Sequence, residues 1–314
     1  LVKNHVSHIQ QLRKKLLEKN SDINITENVN MSKYTSFKAG GCAALMVEVF
    51  DIEQLKEVLK AVSDENVPHM ILGNGSNTLF RDTGYEGVVI KLSCDNFSNV
   101  FIDETDKGYM VTAGAAILLS TLAKILLNES LTGFEFASGI PGSLGGAIFM
   151  NAGAYDGEIR QIVHSVKAVS PDGRDEKIFS SSEMDFGYRY SSLRDNGYIA
   201  VEACLKLEKG HKDDIAAKMK ELAEKRNSKQ PVKYPSAGST FKRPEGYFAG
   251  KLIQDAGLKG VTVGGAQVST LHSGFIINKG GATATDIIDL ITLVQNRVYD
   301  EFGVMLEPEV RIIG

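Results

Sequence analysis

The stretch that most constrains this chain is SGIPGSLGGAIFMNAGAYDG at 138–157, in which glycine occupies positions 139, 142, 145, 146, 153 and 157. Glycine inside a structured segment is destabilising, because it loses more backbone freedom on folding than any other residue. Here that cost falls among apolar neighbours, Ile140, Pro141, Leu144, Ala147, Ile148, Phe149 and Met150, where a solvent loop would be polar. Two uses of these glycines stay open. They let two elements of the protein pack closely, or they keep the backbone beside a flat or elongated ligand along an apolar slot.

A second glycine loop, GNGSNT at 73–78, follows the short apolar run VPHMIL. It begins like the dinucleotide fingerprint GxGxxG, but Thr78 stands where the third glycine belongs, and the P-loop pattern GxxxxGK[ST] is absent from the chain. Successive backbone N–H groups with serine and asparagine side chains form a concave nest suited to a phosphate. The same residues also make ordinary turns. Two such loops together favour a large ligand with a charged and an apolar part, and a flavin dinucleotide fits that description.

With 314 residues, 43% of them hydrophobic, the chain can bury a sizeable core in two or three domains. A net charge of −4 leaves no electrostatic footprint for nucleic acid. Cys42, Cys94 and Cys204 are odd in number and far apart, so neither a disulfide framework nor a thiolate metal site is expected, which fits a reducing, cytoplasmic setting. The histidines are scattered (His5 and His8 lie in a polar segment), and no protein-held metal is expected. No eighteen consecutive apolar residues occur, so no membrane span is expected.

Periodicity gives a mixed set of elements. Val6, Ile9, Leu12, Leu16 and Leu17 recur at helical spacing and predict an amphipathic N-terminal helix. AALMVEVF predicts a strand, followed by a helix capped by Asp51. SPDG at 170–173 predicts a tight hairpin, and Ile199, Val201, Ala203, Leu205 and Leu207 predict a strand with one buried face. A polar helix ends before Pro231, the best candidate boundary. The stripe Ile287, Ile288, Leu290, Ile291, Val294 and Val298 predicts another helix, and VMLEPEVRII a last strand. The fold class is α+β.

Taken in order, YTSFKAGG at 34–41, ILGNGSNTLFRD at 71–82, the 138–157 stretch, FGYRYS at 186–191, YPSAGSTFKRP at 234–244, KLIQDAGLKG at 251–260, GFIINKGGATATDI at 274–287 and the terminal LEPEVRIIG resemble the UDP-N-acetylenolpyruvoylglucosamine reductases. The resemblance implies the FAD-binding fold shared with vanillyl-alcohol oxidase (the PCMH-like fold), built of two α+β subdomains with a C-terminal α+β substrate-binding domain. It divides the chain into a lead-in helix at 1–30, an FAD-binding domain at 31–208 split near 73–80, a substrate domain at 209–304, and a strand at 305–314 carrying a catalytic glutamate. The implied reaction reduces UDP-N-acetylglucosamine enolpyruvate to UDP-N-acetylmuramate for peptidoglycan synthesis. Hydride comes from NADPH by way of non-covalent FAD.

By this match Gly73, Asn74, Gly75, Ser76 and Asn77 hold the FAD pyrophosphate. Ser138, Ile140, Pro141, Gly142, Ser143, Gly145, Gly146, Ala147, Asn151, Gly153 and Ala154 lie along the flavin. Hydride addition to an enolpyruvyl ether builds charge on its carboxylate, so the site needs a cation there and an acid for the adjacent carbon. The match assigns Arg189 to the first need, Ser239 to the second and Glu309 as the catalytic glutamate, with Glu307 two residues away as the rival position. Tyr155, Tyr188, Arg189, Lys259, His272 and, less directly, Arg226 are matched to the substrate. Arg243 stands where many relatives have asparagine, and the tyrosine-bearing insertion that one branch folds over the diphosphate is missing. The expected partner is this small molecule, with no nucleic acid or membrane, and the expected state is a monomer or weak homodimer. Two alternatives stay open, another FAD oxidoreductase of the superfamily and a non-catalytic, colourless nucleotide-sugar binder.

Overall fold

The alternating segment at 199–207 becomes the strand Ile199–Lys209, central in an antiparallel sheet of the computed structural model, which describes residues 2–314 and side chains from His8 onward. The side chains of His5 and Val6 lie outside the described residues. The strands run in the order Glu176–Ser180, Val163–Val169, Ile199–Lys209, Gly108–Gly114 and Val100–Thr105. The alternation holds because Ile199, Val201, Ala203, Leu205 and Leu207 are all buried. The SPDG hairpin forms as expected, with Gly173 N–H donating to the Ser170 carbonyl at 2.9 Å.

The chain gathers into two compact units. Unit 1 takes Leu1–Glu27, Leu45–Asn74 and Gly87–Glu224. Its core packs the helices Leu119–Asn128 and Leu144–Phe149 on the antiparallel sheet through Leu119, Leu122, Leu126, Leu144, Ile148, Val111, Val166 and Leu205. Each such side chain contributes about 1.5–3 kcal/mol by leaving water. The helix Ile52–Asp64 starts as read, with Asp51 accepting from Gln54 N–H at 2.7 Å. The N-terminal helix Val2–Lys19 packs on it, burying Ile9, Leu12 and Leu16 and pairing Lys15 with Glu65 at 2.7 Å.

Unit 2 takes Asn28–Ala44, Gly75–Glu86 and Lys225–Gly314. Against the expected substrate domain at 209–304, residues 209–224 fall in unit 1, and unit 2 runs on to Gly314 and takes in two early segments, because Phe37, Ala39 and Leu79 are buried in its core with Ile253, Ile287, Leu290, Val294, Val298, Leu306 and Val310. The helix Ala284–Phe302 presents the expected stripe to that core. At its start the Asp82 carboxylate accepts from Ala284 N–H at 2.9 Å, Thr285 N–H at 2.7 Å and Thr285 Oγ1 at 2.7 Å. At its end Gly303 adopts φ +67°.

The last strand is shorter than the sequence suggested. Only Arg311–Ile313 is strand, parallel to Thr78–Phe80, so Glu309 precedes it. Pro308 has no N–H to give a ladder, and the chain makes a single bridge there, to Phe241.

Candidate active site

Three groups of residues carry the candidate site, the first two within unit 1 and the third within unit 2. In the first, the two glycine-rich stretches meet. Asn74 Nδ2 donates to the Pro141 carbonyl at 2.9 Å, and a Cβ on Gly73 would lie 2.5 Å from Ser143 Oγ. Ser143 is buried and caps the helix Leu144–Phe149, accepting from Gly146 N–H at 3.4 Å. Gly73, Asn74, Pro141 and Gly146 are exposed around this junction, and Ser138, Ile140, Gly142 and Gly145 are half-buried.

The apolar residues of 138–157 do not all line a slot. Leu144, Ala147 and Ile148 are buried in the core of unit 1, Ala147 being the one of the three that the resemblance sets along the flavin. Several glycines also serve close packing. A Cβ on Gly157 would sit 2.4 Å from Phe136 Cγ, and one on Gly153 2.6 Å from the Gly157 carbonyl oxygen. Gly146 differs, meeting only Ser143 Oγ at 3.4 Å.

The second group holds Arg189. Asn151, fully buried, donates from Nδ2 to the Gly187 carbonyl and to the Glu158 carboxylate, each at 2.9 Å, and accepts from Arg160 N–H at 2.9 Å. Its amide is thereby committed to tying 151–160 to the loop before Arg189. Ser191 Oγ adds a bond to the Phe149 carbonyl at 2.9 Å. Arg189 Nη2 donates to the Gly153 carbonyl at 3.4 Å, and its guanidinium lies 5.0 Å from the Tyr188 ring centre. Tyr155 at φ +51° and Arg189 at φ +54° both occupy the left-handed region. Side chains of this size rarely adopt it, and such strain gathers at functional positions. Ala154 is half-buried, and Tyr155 and Tyr188 are exposed.

The third group joins Ser239 to Glu309 through the backbone. Glu309 N–H donates to the Thr240 carbonyl at 2.8 Å, and Asn77 Nδ2 donates to the Glu309 carbonyl at 3.1 Å. Thr240 is fully buried; its N–H donates to the Gly274 carbonyl at 2.8 Å and its Oγ1 accepts from Ile276 N–H at 3.0 Å. Ser239 is exposed after Gly238, which has φ +76°, and Glu309 is half-buried. The rival, Glu307, is exposed and ion-paired with Lys242.

Of the residues matched to the substrate in unit 2, Lys259 is exposed and Arg226 lies half-buried on the helix Lys212–Lys229. His272 Nδ1 accepts from Gly274 N–H at 3.1 Å, and its ring stands edge-on to Phe275 at 4.9 Å. Burial lowers its pKa, aided by the charge of Lys259 and opposed by a backbone hydrogen bond. Arg243 rests on Phe248, 3.9 Å from the ring centre, with Nε donating to the Tyr247 carbonyl at 3.3 Å.

A flavin dinucleotide suits what the loops offer. A Cβ on Gly75 would lie 1.9 Å from the Tyr34 carbonyl oxygen, so the loop backbone keeps its turn only with glycine there. Beside it Ser36 N–H donates to the Gly75 carbonyl at 3.1 Å, while Ser36 Oγ is buried without a hydrogen-bond partner. An orphaned buried hydroxyl next to a phosphate-type nest is a donor waiting for an acceptor. Ser36 and Thr240 were not singled out from the sequence. Both lie inside quoted motifs, YTSFKAGG and AGSTF, where only burial and bonding distinguish them from their neighbours. Among the described residues no group of histidine, cysteine and carboxylate side chains could hold a metal ion, and no helix is long and apolar enough to cross a membrane.

Comparison with known proteins agrees with this geometry. Residues 230–313 match the family model of the UDP-N-acetylenolpyruvoylglucosamine reductase C-terminal domain, and residues 43–178 match that of an FAD binding domain. A UDP-N-acetylenolpyruvoylglucosamine reductase of Alkaliphilus oremlandii is 53% identical over 284 residues, covering 90% of this chain and 91% of that protein. One of Clostridioides difficile is 52% identical over 293 residues, covering 93% and 94%. The crystal structure of UDP-N-acetylenolpyruvylglucosamine reductase (MurB) from Thermus caldophilus superimposes with a TM-score of 0.78 at 35% identity, covering 93% of this chain and 99% of that one.

Proposed function

We propose that this chain, which belongs to the UDP-N-acetylenolpyruvoylglucosamine reductase family and is one of its FAD-dependent oxidoreductases, reduces UDP-N-acetylglucosamine enolpyruvate to UDP-N-acetylmuramate with NADPH in the cytoplasm. The observation that carries the reading is the bond from Glu309 N–H to the Thr240 carbonyl, which ties the segment bearing Ser239 to the one bearing Glu309.

Bound FAD supplies the hydride chemistry that the side chains cannot. Gly73 to Asn77, Ser143 and Gly146 are the residues proposed to hold it, with Ser36 as an added hydroxyl donor. Arg189 binds the enolpyruvyl carboxylate, where its planar fork matches both oxygens and meets charge as it builds. Ser239 gives a proton to the carbon next to that carboxylate. A serine hydroxyl is a weak acid, so it needs a relay, and Glu309 is the ionisable group proposed for it. Lys259, His272 and Arg226, with Tyr155 and Tyr188, are proposed contacts for the nucleotide sugar. With Nδ1 accepting, a neutral His272 carries its hydrogen on Nε2 and offers a donor.

The test is an anaerobic absorbance spectrum, before and after NADPH and then after the enolpyruvyl nucleotide sugar. Bleaching by NADPH and recovery only with that substrate is the expected result. Bleaching without recovery overturns the substrate assignment, and a protein that takes up no flavin overturns the reading of both loops.

A further inference from the structure

We propose that Asn77 is a positioning residue for Glu309, in addition to any part its loop plays in holding the cofactor. The inference rests on the reading of Glu309 as catalytic, and its ground is the way the backbone of Glu309 is held. Glu309 stands in irregular chain, before the strand Arg311–Ile313 begins. A segment outside a ladder has no periodic hydrogen bonds to fix it, so its polar groups must find individual partners.

Both backbone groups of Glu309 have one. Its N–H donates to the Thr240 carbonyl at 2.8 Å, and its carbonyl accepts from Asn77 Nδ2 at 3.1 Å. Asn77 is itself anchored on the far side, because Arg311 N–H donates to its carbonyl at 3.1 Å. The next residue, Thr78, opposes Arg311 in the parallel strand pair. The side chain of Asn77 thus extends that ladder two residues further, to the point where Glu309 leaves it. Thr240 clamps from the other side and is fixed by its own bonds to Gly274 and Ile276. A side-chain amide is needed at 77 because the bond requires a donor that reaches past the backbone. Serine is too short for that reach, and aspartate would set an acceptor against the Glu309 carbonyl.

A carboxylate that must meet a substrate within a few tenths of an ångström depends on such a clamp, since a displacement of about 1 Å costs about a hundredfold in rate. The test is a double-mutant cycle on the FAD-loaded enzyme, with Asn77→Asp and Asn77→Ser each made alone and with Glu309→Gln. The expected result is a loss of kcat of about tenfold to a hundredfold for each Asn77 variant, with KM for the enolpyruvyl substrate changed by less than about threefold. In the Glu309→Gln background the same changes should cost less than about twofold, since the group they act through is gone.

Equal losses in both backgrounds overturn the inference, as does a change confined to FAD affinity at unchanged kcat. A Glu309→Gln enzyme with full turnover overturns the reading of Glu309 itself, a different failure from an additive cycle. Backbone amide exchange gives a readout without turnover. The Glu309 amide should exchange about tenfold faster in Asn77→Ser, while the Ile312 and Ile313 amides keep their protection. Loss of protection throughout the strand pair means a general structural role and overturns the inference.

Discussion

The Asn151 side chain donates to the Gly187 carbonyl at 2.9 Å and so fastens the glycine-rich stretch to the loop that carries Arg189. The same amide also meets Glu158 and Arg160, which leaves none of its hydrogen-bonding groups unmet in a fully buried position. Removing it leaves the half-buried Gly187 carbonyl and the Arg160 N–H without this partner, and it places a residue without an amide at φ +41°. Asn151→Ala should lower stability in urea by about 1–3 kcal/mol. It should also reduce turnover through Arg189. A variant as stable and as active as the parent would show that the Arg189 loop holds its shape without this tie.

Two glycines of the same stretch should respond in opposite ways. Gly157→Ala drives a methyl against Phe136 and should destabilise the protein by about 1–3 kcal/mol. Gly146→Ala, on an exposed helical position with room for the methyl, should melt no lower than the parent, since alanine is the better helix former. If the backbone at 146 faces the flavin, the same substitution should weaken FAD binding about tenfold or more, or about 1.4 kcal/mol. Melting curves and a flavin titration on the two variants separate packing glycines from ligand glycines.

Ser239→Ala should leave FAD binding and the bleaching of the flavin by NADPH close to the parent values. Reoxidation by the enolpyruvyl substrate should slow by at least about a hundredfold, because only that half of the cycle needs the proton donor. Stopped-flow absorbance measures the halves apart. An equal slowing of both would remove Ser239 from the role of acid.

Acid should act on unit 2 through Asp82. Burial opposes ionisation there, but the hydroxyl and amide of Thr285 and the amide of Ala284 outweigh it, so the folded-state pKa lies below the ordinary value. A carboxylate depressed in this way contributes stability that is complete above its unfolded pKa of about 4 and is lost as the pH falls through the lower folded value. Asp82→Asn should therefore flatten the decline of stability below about pH 4 while the neutral-pH fold persists. Urea midpoints taken across that range give the comparison, and an unchanged acid slope would count against the helix cap.

Much of this architecture could be read in advance, because local rules act over short spans. The alternation at Ile199 to Leu207, the stripe at Ile287 to Val298 and the cap at Asp51 each state their element within a dozen residues. Motif order supplied the proposed site residues in the same way. The partners of those residues lie far along the chain, and no local pattern announces them. Asn77 and Glu309 are 232 positions apart, and Asn74 and Pro141 are 67 apart. Ala147 shows the limit from the other side, since an apolar residue among glycines reads the same whether it faces a ligand or a core. The last strand is shorter than expected because VMLEPEVRII is apolar enough for a longer one, whereas residues 304–310 are irregular apart from the bridge at Pro308.

The parallel strand pair at Thr78–Phe80 and Arg311–Ile313 also sets a timetable for biosynthesis. A ribosome that has made Phe37, Ala39 and Leu79 has still to add more than two hundred residues before Val310, which shares their core, exists. Until then those early segments have no finished partner and are open to mispairing or to a chaperone. Glu309 is made immediately before Val310. A truncated nascent chain therefore lacks both the seal of this unit and the carboxylate proposed for its chemistry, so half-made protein has no means of consuming substrate.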